Sequence, residues 1–153
     1  MKKIVVGSDH GGLDVKAAVI ALLEKRGATV IDVGTNGPAS VDYPDFGEKV
    51  AGMVSRGEAD EGVLVCGTGI GMSIVANKFP GIRAALVTDE FMARMTREHN
   101  NANILVLGGR VVDVPTAEKL VAAWLDATFE GGRHQARLDK ITALERKLGL
   151  SVK

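Results

Sequence analysis

Short apolar runs alternate along this chain with segments in which apolar residues recur every three or four positions. The runs are too short for helices and lie between glycine or polar turn residues, which is typical of buried strands. The predicted strands are residues 3–7, 29–33, a run that ends at residue 66, 83–87 and 104–108. Because strands alternate with helices, the pattern indicates an α/β fold, a five-stranded parallel sheet with helices on both faces.

Helix-capping and helix-breaking residues mark the predicted ends of the helices. The predicted helices are a segment between the first strand and Gly27, residues 45–56, residues 72–78, a segment from about 88 to the His99-Asn100-Asn101 cluster, a segment that begins near Pro115, and residues 133–148. Residues 34–44 are rich in glycine and proline and predict a long loop, which contains Tyr43. Residues predicted to face the core are Trp124, Leu138, Ile141, Leu144 and Leu148.

Length and composition narrow the class of protein. The chain has 153 residues, which fits a single domain spanning residues 1–153. Its 19 basic and 19 acidic side chains give no net charge, which argues against a nucleic-acid partner. The apolar runs fall short of the roughly 18 residues that span a bilayer, so no membrane partner is expected. The amino-terminal run is a first strand by this interpretation, not a signal peptide, and a cytoplasmic location is expected.

The single cysteine cannot form an internal disulfide, and the histidines lack zinc-site spacing, so we expect neither a metal nor another cofactor. The cysteine, Cys66, stands at the end of the third strand. It is followed by Gly67-Thr68-Gly69-Ile70-Gly71, whose alternate glycines allow successive N–H groups to face one point. A thiol beside such donors and a helix amino terminus should be favoured as its thiolate, the form that acts as a base or nucleophile.

Ligands of open parallel sheets bind outside the carboxyl ends of the strands. Asp9, His10, residues 66–71, Thr88-Asp89 and residues 108–110 are all predicted at that edge. The glycine segment lacks the last glycine of a dinucleotide-binding fingerprint, which argues against a dinucleotide site. Position 72 is methionine and not the arginine of a phosphatase cysteine loop, which argues against a phosphatase.

Each remaining candidate also has a purely structural interpretation. A lone cysteine is most often an inert core residue, and His10 could simply cap a helix. His99 suits a helix carboxyl terminus electrostatically, although it is also a good proton carrier. Arg133 and Arg137, four residues apart, are either a solvated pair or an anion site, and the same alternatives hold for Arg110. His134 is predicted to lie at the surface.

Four motifs in order carry a family resemblance: Ser-Asp-His-Gly-Gly from Ser8, Cys-Gly-Thr-Gly-Ile-Gly from Cys66, Arg-Glu-His-Asn-Asn-Ala-Asn from Arg97, and Glu-Gly-Gly-Arg-His-Gln-Ala-Arg from Glu130. The chain resembles the type B ribose-5-phosphate isomerases, a group that also includes galactose-6-phosphate isomerase subunits. The resemblance implies a Rossmann-like three-layer fold and a homodimer or dimer of dimers in which two chains share each active site.

The resemblance also implies a role for each matching residue. Cys66 would be the base that moves a proton, His99 the acid that opens the sugar ring, and Thr68 the source of a hydroxyl. The amides that would hold the enediolate are those of Gly67, Thr68, Gly69, Ile70 and Gly71. The residues that would contact the sugar are Asp9, His10, Tyr43 and Asn100. The residues that would hold the phosphate are Arg110, Arg133 and Arg137.

Three functions remain open at this point. The first is an isomerase that interconverts ribose 5-phosphate and ribulose 5-phosphate without a metal. The second has the same chemistry on a tetrose or hexose phosphate, and residues 37–46 are expected to decide between these substrates. The third is a module that binds a phosphorylated metabolite without turning it over, although such a module would not need the proton carriers Cys66 and His99.

Overall fold

The computed structural model describes residues 1–150. Within them the chain forms five strands, β1 to β5, which are Lys3–Ser8, Thr29–Asp32, Glu61–Cys66, Ala84–Leu86 and Ile104–Gly108. The helices α1 to α6 are Leu13–Lys25, Tyr43–Ser55, Ile70–Ala76, Glu90–Glu98, Val114–Asp126 and Arg133–Lys147. The strands are all parallel and lie in the order β2-β1-β3-β5-β4. The predicted α/β class is therefore confirmed. The bounds of the other four strands and the end of β3 agree with their predictions to within one residue.

Two apolar layers enclose the sheet because successive strand residues point to opposite faces. Val63 and Val65 of β3 pack on one face with α1, α4 and α5, and the fully buried Trp124 lies in this layer as predicted. Leu64 and Cys66 point to the other face, toward α2 and α3. The Cys66 side chain thus belongs to the layer formed by α2 and α3, which fixes its direction at the end of the strand.

The connections reverse direction between β1 and β3. From β1 the chain passes through α1 to β2 on one side of the sheet, and α2 then returns it past β1 to β3. The carboxyl ends of β1 and β3 therefore border a crevice at the topological switch point, where open α/β sheets bind ligands. Asp9 follows β1, and Cys66 ends β3, so both lie at this crevice.

Some helix predictions were wrong in detail. Tyr43 is not in the loop but begins α2, because Asp42 is the N-cap and Pro44 suits the first turn. The third helix begins at Ile70, two residues earlier than predicted, because Gly69 adopts a left-handed N-cap conformation with φ of 81°.

The last helix departs further from its prediction. Ile141, Leu144 and Leu148 do not face the core but are 46%, 53% and 63% exposed. Within the described part of α6, the buried residues are His134 and Leu138. The Glu145 carboxylate accepts a hydrogen bond from the backbone N–H of Gly81, just before β4. Because α6 lies along the amino edge of the sheet and covers neither face, most of its apolar stripe is left exposed within residues 1–150.

A buried ion pair fixes the end of α4 at the same amino edge. Arg97 pairs with the buried carboxylate of Glu61, the first residue of β3. Its guanidinium also donates to the carbonyl groups of Ala102 and Trp124, at 3.2 and 3.3 Å, and lies 4.6 Å from the Trp124 ring centroid. Lys2 reaches the other side of the Glu61 carboxylate at 2.7 Å. Helix α4 is thereby tied to the start of the central strand.

We expect Arg97→Ala to lower the free energy of unfolding by about 3–5 kcal/mol, because it leaves the buried Glu61 carboxylate with the exposed Lys2 alone. Denaturant titration followed by circular dichroism, at one fixed protein concentration, measures the loss. The matched control on the same helix is Arg94→Ala, which removes an exposed pair with Glu98 and should cost less than about 1 kcal/mol. Equal losses in the two variants would contradict this account.

Every helix among the described residues is too short or too polar to cross a lipid bilayer.

Candidate active site

The turn after β3 brings a main-chain hydrogen-bond donor onto the cysteine sulfur. Cys66 is 4% exposed, and its Sγ accepts a hydrogen bond from the N–H of Gly69 at 3.2 Å. The N–H of Ile70 donates to the Thr68 hydroxyl oxygen, also at 3.2 Å. Two of the amides assigned to an oxyanion by the resemblance are therefore bonded inside the turn. The Thr68 side chain itself is exposed beside the buried sulfur.

Strand β5 holds this turn from the side. The N–H of Gly109 donates to the Cys66 carbonyl at 2.8 Å, and the N–H of Arg110 donates to the Gly67 carbonyl at 2.9 Å. A methyl group on Gly109 would lie 2.5 Å from the carbonyl oxygen of Gly11, so this close approach of the two strand ends requires glycine. A methyl group on Gly67 would lie 3.3 Å from Nη1 of Arg110, which places that guanidinium beside the cysteine turn.

The residues after β1 form the opposite wall of the crevice. The Asp9 side chain caps the following turn by accepting the N–H of Gly11 at 2.9 Å. Nδ1 of His10 accepts the N–H of Val41 at 3.2 Å, which assigns the proton of the neutral ring to Nε2. A cavity of about 200 Å³ opens here, lined in part by His10, Gly11 and Gly109.

The loop between β2 and α2 covers the same edge and is anchored at its start. The ammonium group of the buried Lys16 donates to the Asp32 carboxylate at 2.7 and 2.9 Å and to the Asn36 side chain at 2.7 Å. At the far end of the loop, the Tyr43 ring packs on Gly71, where a methyl group would lie 2.4 Å from Cζ of the tyrosine. Tyr43 thus borders the cysteine turn from α2. This predicted group of residues, which we call the upper half-site, consists of Asp9, His10, Tyr43, Cys66 to Gly71 and Arg110.

The other predicted residues lie at the opposite edge of the sheet. His99 is the C-cap of α4, and Asn100 follows it. The Asn100 carbonyl accepts a hydrogen bond from Nε of Arg83, which directly precedes β4. Since β3 has six residues and a strand rises about 3.3 Å per residue, its two ends are separated by ~17 Å. The chain therefore does not bring His99 to Cys66.

His99 instead meets the start of α6. Its ring stacks on that of His134, with centroids 4.1 Å apart and planes inclined by 12°. The Glu130 carboxylate lies 3.4 Å from Nε2 of His99 and 3.7 Å from Nε2 of His134. Arg133 and Arg137 extend from the same end of α6 and are exposed. We call His99, Asn100, Glu130, Arg133, His134 and Arg137 the lower half-site.

The sequence prediction for His134 was wrong. This residue is not at the surface but 7% exposed, beneath the ring of His99. The sequence did contain a sign of this burial. His134 lies four residues before Leu138, so the two share one face of α6, and that face is buried. Glu130 opens the last motif but received no role from the sequence, since its position between two histidines depends on the tertiary structure.

Burial is the main factor that lowers the pKa of His134, followed by the charges of His99 and Arg133. Glu130 acts in the opposite direction. His99, Glu130 and His134 place potential metal-ligand atoms within 4.8 Å of one another. However, the in-plane lone pairs of nearly parallel stacked rings do not converge on one point, as the tetrahedral ligands of zinc do. The arrangement of the two rings therefore does not match a tetrahedral zinc site.

Residues 4–141 match the Ribose/Galactose Isomerase family model, and the chain belongs to this family. It is 48% identical over 147 residues to ribose-5-phosphate isomerase B of Escherichia coli strain K12, which covers 96% of this chain and 99% of the relative. The structure of ribose-5-phosphate isomerase B from Clostridium thermocellum is 57% identical, with a TM-score of 0.92 and coverage of 95% of this chain and 99% of that one. The enzyme of the same name from Mycoplasma genitalium, solved with bound ribulose-5-phosphate, is 44% identical, with a TM-score of 0.91 and coverage of 94% and 96%. The predicted family resemblance is confirmed.

Proposed function

We propose that this chain is a single-domain aldose-ketose isomerase that interconverts ribose 5-phosphate and ribulose 5-phosphate. The observation that carries the proposal is the Cys66 sulfur at the switch-point crevice, bonded to a main-chain N–H and flanked by Arg110. Relatives at 48% and 57% identity are named ribose-5-phosphate isomerase B, and the Mycoplasma genitalium relative binds ribulose-5-phosphate. Together these observations support both the reaction and the substrate.

The reaction moves a proton from C2 of the aldose to C1 of the ketose through an enediolate. In this proposal the Cys66 thiolate removes the C2 proton and returns it to C1. The amides of Gly67 and Gly71 and the Thr68 hydroxyl stabilise the enediolate oxygen atoms, since fixed donors need no reorganisation when charge develops. Because Cys66 is nearly buried, little water can reach the base and compete for the proton.

We propose that this site is built from two copies of the chain, and the distance between its parts supports the proposal. The upper half-site has the base but lacks the proposed ring-opening acid, which is ~17 Å away by the length of β3. We propose that the lower half-site of a partner chain closes the crevice in a homodimer. The partner's His99 would open the sugar ring, and Arg133 and Arg137 of the partner subunit would bind the phosphate beside Arg110. Asn100 of the partner subunit would contact the sugar.

Cys66→Ala should keep the fold and lower kcat by about 10²–10⁴-fold, the contribution typical of a positioned general base. A coupled assay of ribulose 5-phosphate formation measures the rate, and circular dichroism with thermal unfolding checks the fold. Cys66→Ser is the matched control for size, and it should also be slow because a hydroxyl is a far weaker base than a thiolate at neutral pH. Turnover close to that of the unaltered chain in either variant would refute the assignment of the base.

Mixed dimers test whether two chains share each site. Cys66→Ala and His99→Gln chains, each nearly inactive alone, are unfolded together and refolded as an equal mixture. Half of the dimers then contain one chain of each kind, and one of their two sites has both native residues. The mixture should regain roughly a quarter of the native activity by this statistical count. A mixture of Cys66→Ala with Cys66→Ser chains is the control and should regain none. A lack of rescue in the first mixture would place both residues in one chain's site.

A tetrose or hexose phosphate is the second candidate substrate. The loop between β2 and α2 is held by hydrogen bonds from Lys16 to Asn36 and from Val41 to His10, and we propose that its residues decide the length of the sugar. We expect kcat/KM to be highest for ribose 5-phosphate in a panel of four-, five- and six-carbon sugar phosphates. Solvent deuterium should enter C1 of the ribulose 5-phosphate formed. A hexose phosphate preferred over ribose 5-phosphate would correct the substrate, and tight binding without deuterium exchange would indicate a binding module.

A further inference from the structure

The lower half-site contains two imidazole rings, and charging both of them would be electrostatically unfavourable. The His99 and His134 rings are stacked with centroids 4.1 Å apart. Two positive charges at this separation repel strongly, particularly when one of them is removed from water. The His134 side chain is 8% exposed, and that of His99 is 38% exposed. The stacked geometry therefore disfavours a positive charge on both rings at once.

Glu130 favours the presence of one added proton on the pair. Its carboxylate lies within 3.7 Å of Nε2 on both rings. The backbone of the same residue is fixed, because its N–H donates to the Glu98 carbonyl at 3.0 Å. The proton can therefore reside on either ring without losing its counter-charge. The more exposed ring, His99, is the one that solvent and a sugar can reach.

Arg133 and Arg137 oppose the proton. They flank His134 on the first turns of α6, and their charges lower the pKa of His134 in addition to the effect of its burial. The nearby charges on α4 are engaged elsewhere, since Glu98 pairs with Arg94 at 3.5 Å and Arg97 pairs with Glu61. The charge state of the histidine pair therefore depends on one glutamate and two exposed arginines.

We propose that an anionic phosphate group, when it binds to Arg133 and Arg137, causes the His99–His134 pair to take up a proton from solvent. This inference rests on the proposed function, which assigns the two arginines to the phosphate. A bound dianion neutralises the charges that oppose protonation, while Glu130 continues to favour it. The acid that opens the sugar ring is thus charged when a phosphorylated substrate is present and returns its proton to solvent when the anion leaves. Glu130 and His134 are positioning residues that act through His99.

Sulfate is the appropriate probe, because its charge is constant near neutral pH, whereas phosphate itself titrates there. The imidazole signals of the ¹⁵N-labelled chain are followed from pH 5 to 9 in sodium sulfate and in sodium chloride at equal ionic strength. His99→Gln and His134→Gln variants assign the signals. Sulfate should raise the midpoint of the joint His99–His134 titration by roughly half a pH unit or more.

Single substitutions at Arg137 and Glu130 should shift the titration midpoint in opposite directions. Arg137→Ala should raise the midpoint in chloride, because a repelling charge is removed, and should reduce the further rise in sulfate. Glu130→Gln should lower the midpoint in both salts and retain the sulfate shift. The matched controls are Arg146→Ala, at the other end of α6, and Glu24→Gln, an exposed residue of α1. Both controls should leave the midpoints unchanged.

Each outcome has one meaning. A sulfate-dependent rise that is reduced in Arg137→Ala supports the inference. If sulfate perturbs the backbone signals of residues 133–137 but does not change the midpoint, the inference is wrong, whereas the proposed phosphate site is supported. If sulfate perturbs nothing there and Arg137→Ala leaves KM for ribose 5-phosphate unchanged, the arginines do not bind phosphate and both proposals fail at this point.

Discussion

The direction of the crossover connections is the constraint on which the arrangement of this molecule depends. In a parallel sheet each connecting helix returns the chain to the amino edge, so a residue that ends a strand and one that ends a helix lie at opposite edges. Cys66 ends β3, and His99 ends α4. No choice of side-chain rotamer closes a gap of ~17 Å. The proposed reaction, which uses both residues in one site, would therefore need a second chain, and the argument for this rests on topology and not on side-chain positions.

One strand supports both half-sites. Glu61 at the start of β3 pairs with Arg97, two residues before His99, while the carbonyl groups of Cys66 and Gly67 accept hydrogen bonds from the chain that follows β5. Every residue of β3 is buried, and the strand lies in the middle of the sheet. Local opening should therefore be rare at both positions, because it would require the central strand to lose its partners on each side.

The sequence predicted the features that depend on local patterns and missed those that depend on the tertiary structure. The bounds of β5 could be predicted because its apolar run is confined between polar residues and glycine. The apolar residues Ile141 and Leu144 have helical spacing, but the spacing does not reveal whether a sheet face remains for them to cover. His134 is buried by the ring of a residue on another helix. Its environment therefore could not be deduced from the sequence around it.

The two half-sites suit different kinds of negative charge. A phosphate group carries its charge throughout the reaction, and exposed guanidinium groups can bind it without being held rigidly. The charge on the enediolate exists only during the reaction, so donors that had to turn toward it would lose much of their benefit. The cysteine turn provides fixed main-chain donors, held by the hydrogen bonds from Gly109 and Arg110. In the proposed mechanism the fixed turn would therefore stabilise the developing oxyanion, and the exposed arginines of α6 would bind the phosphate together with Arg110.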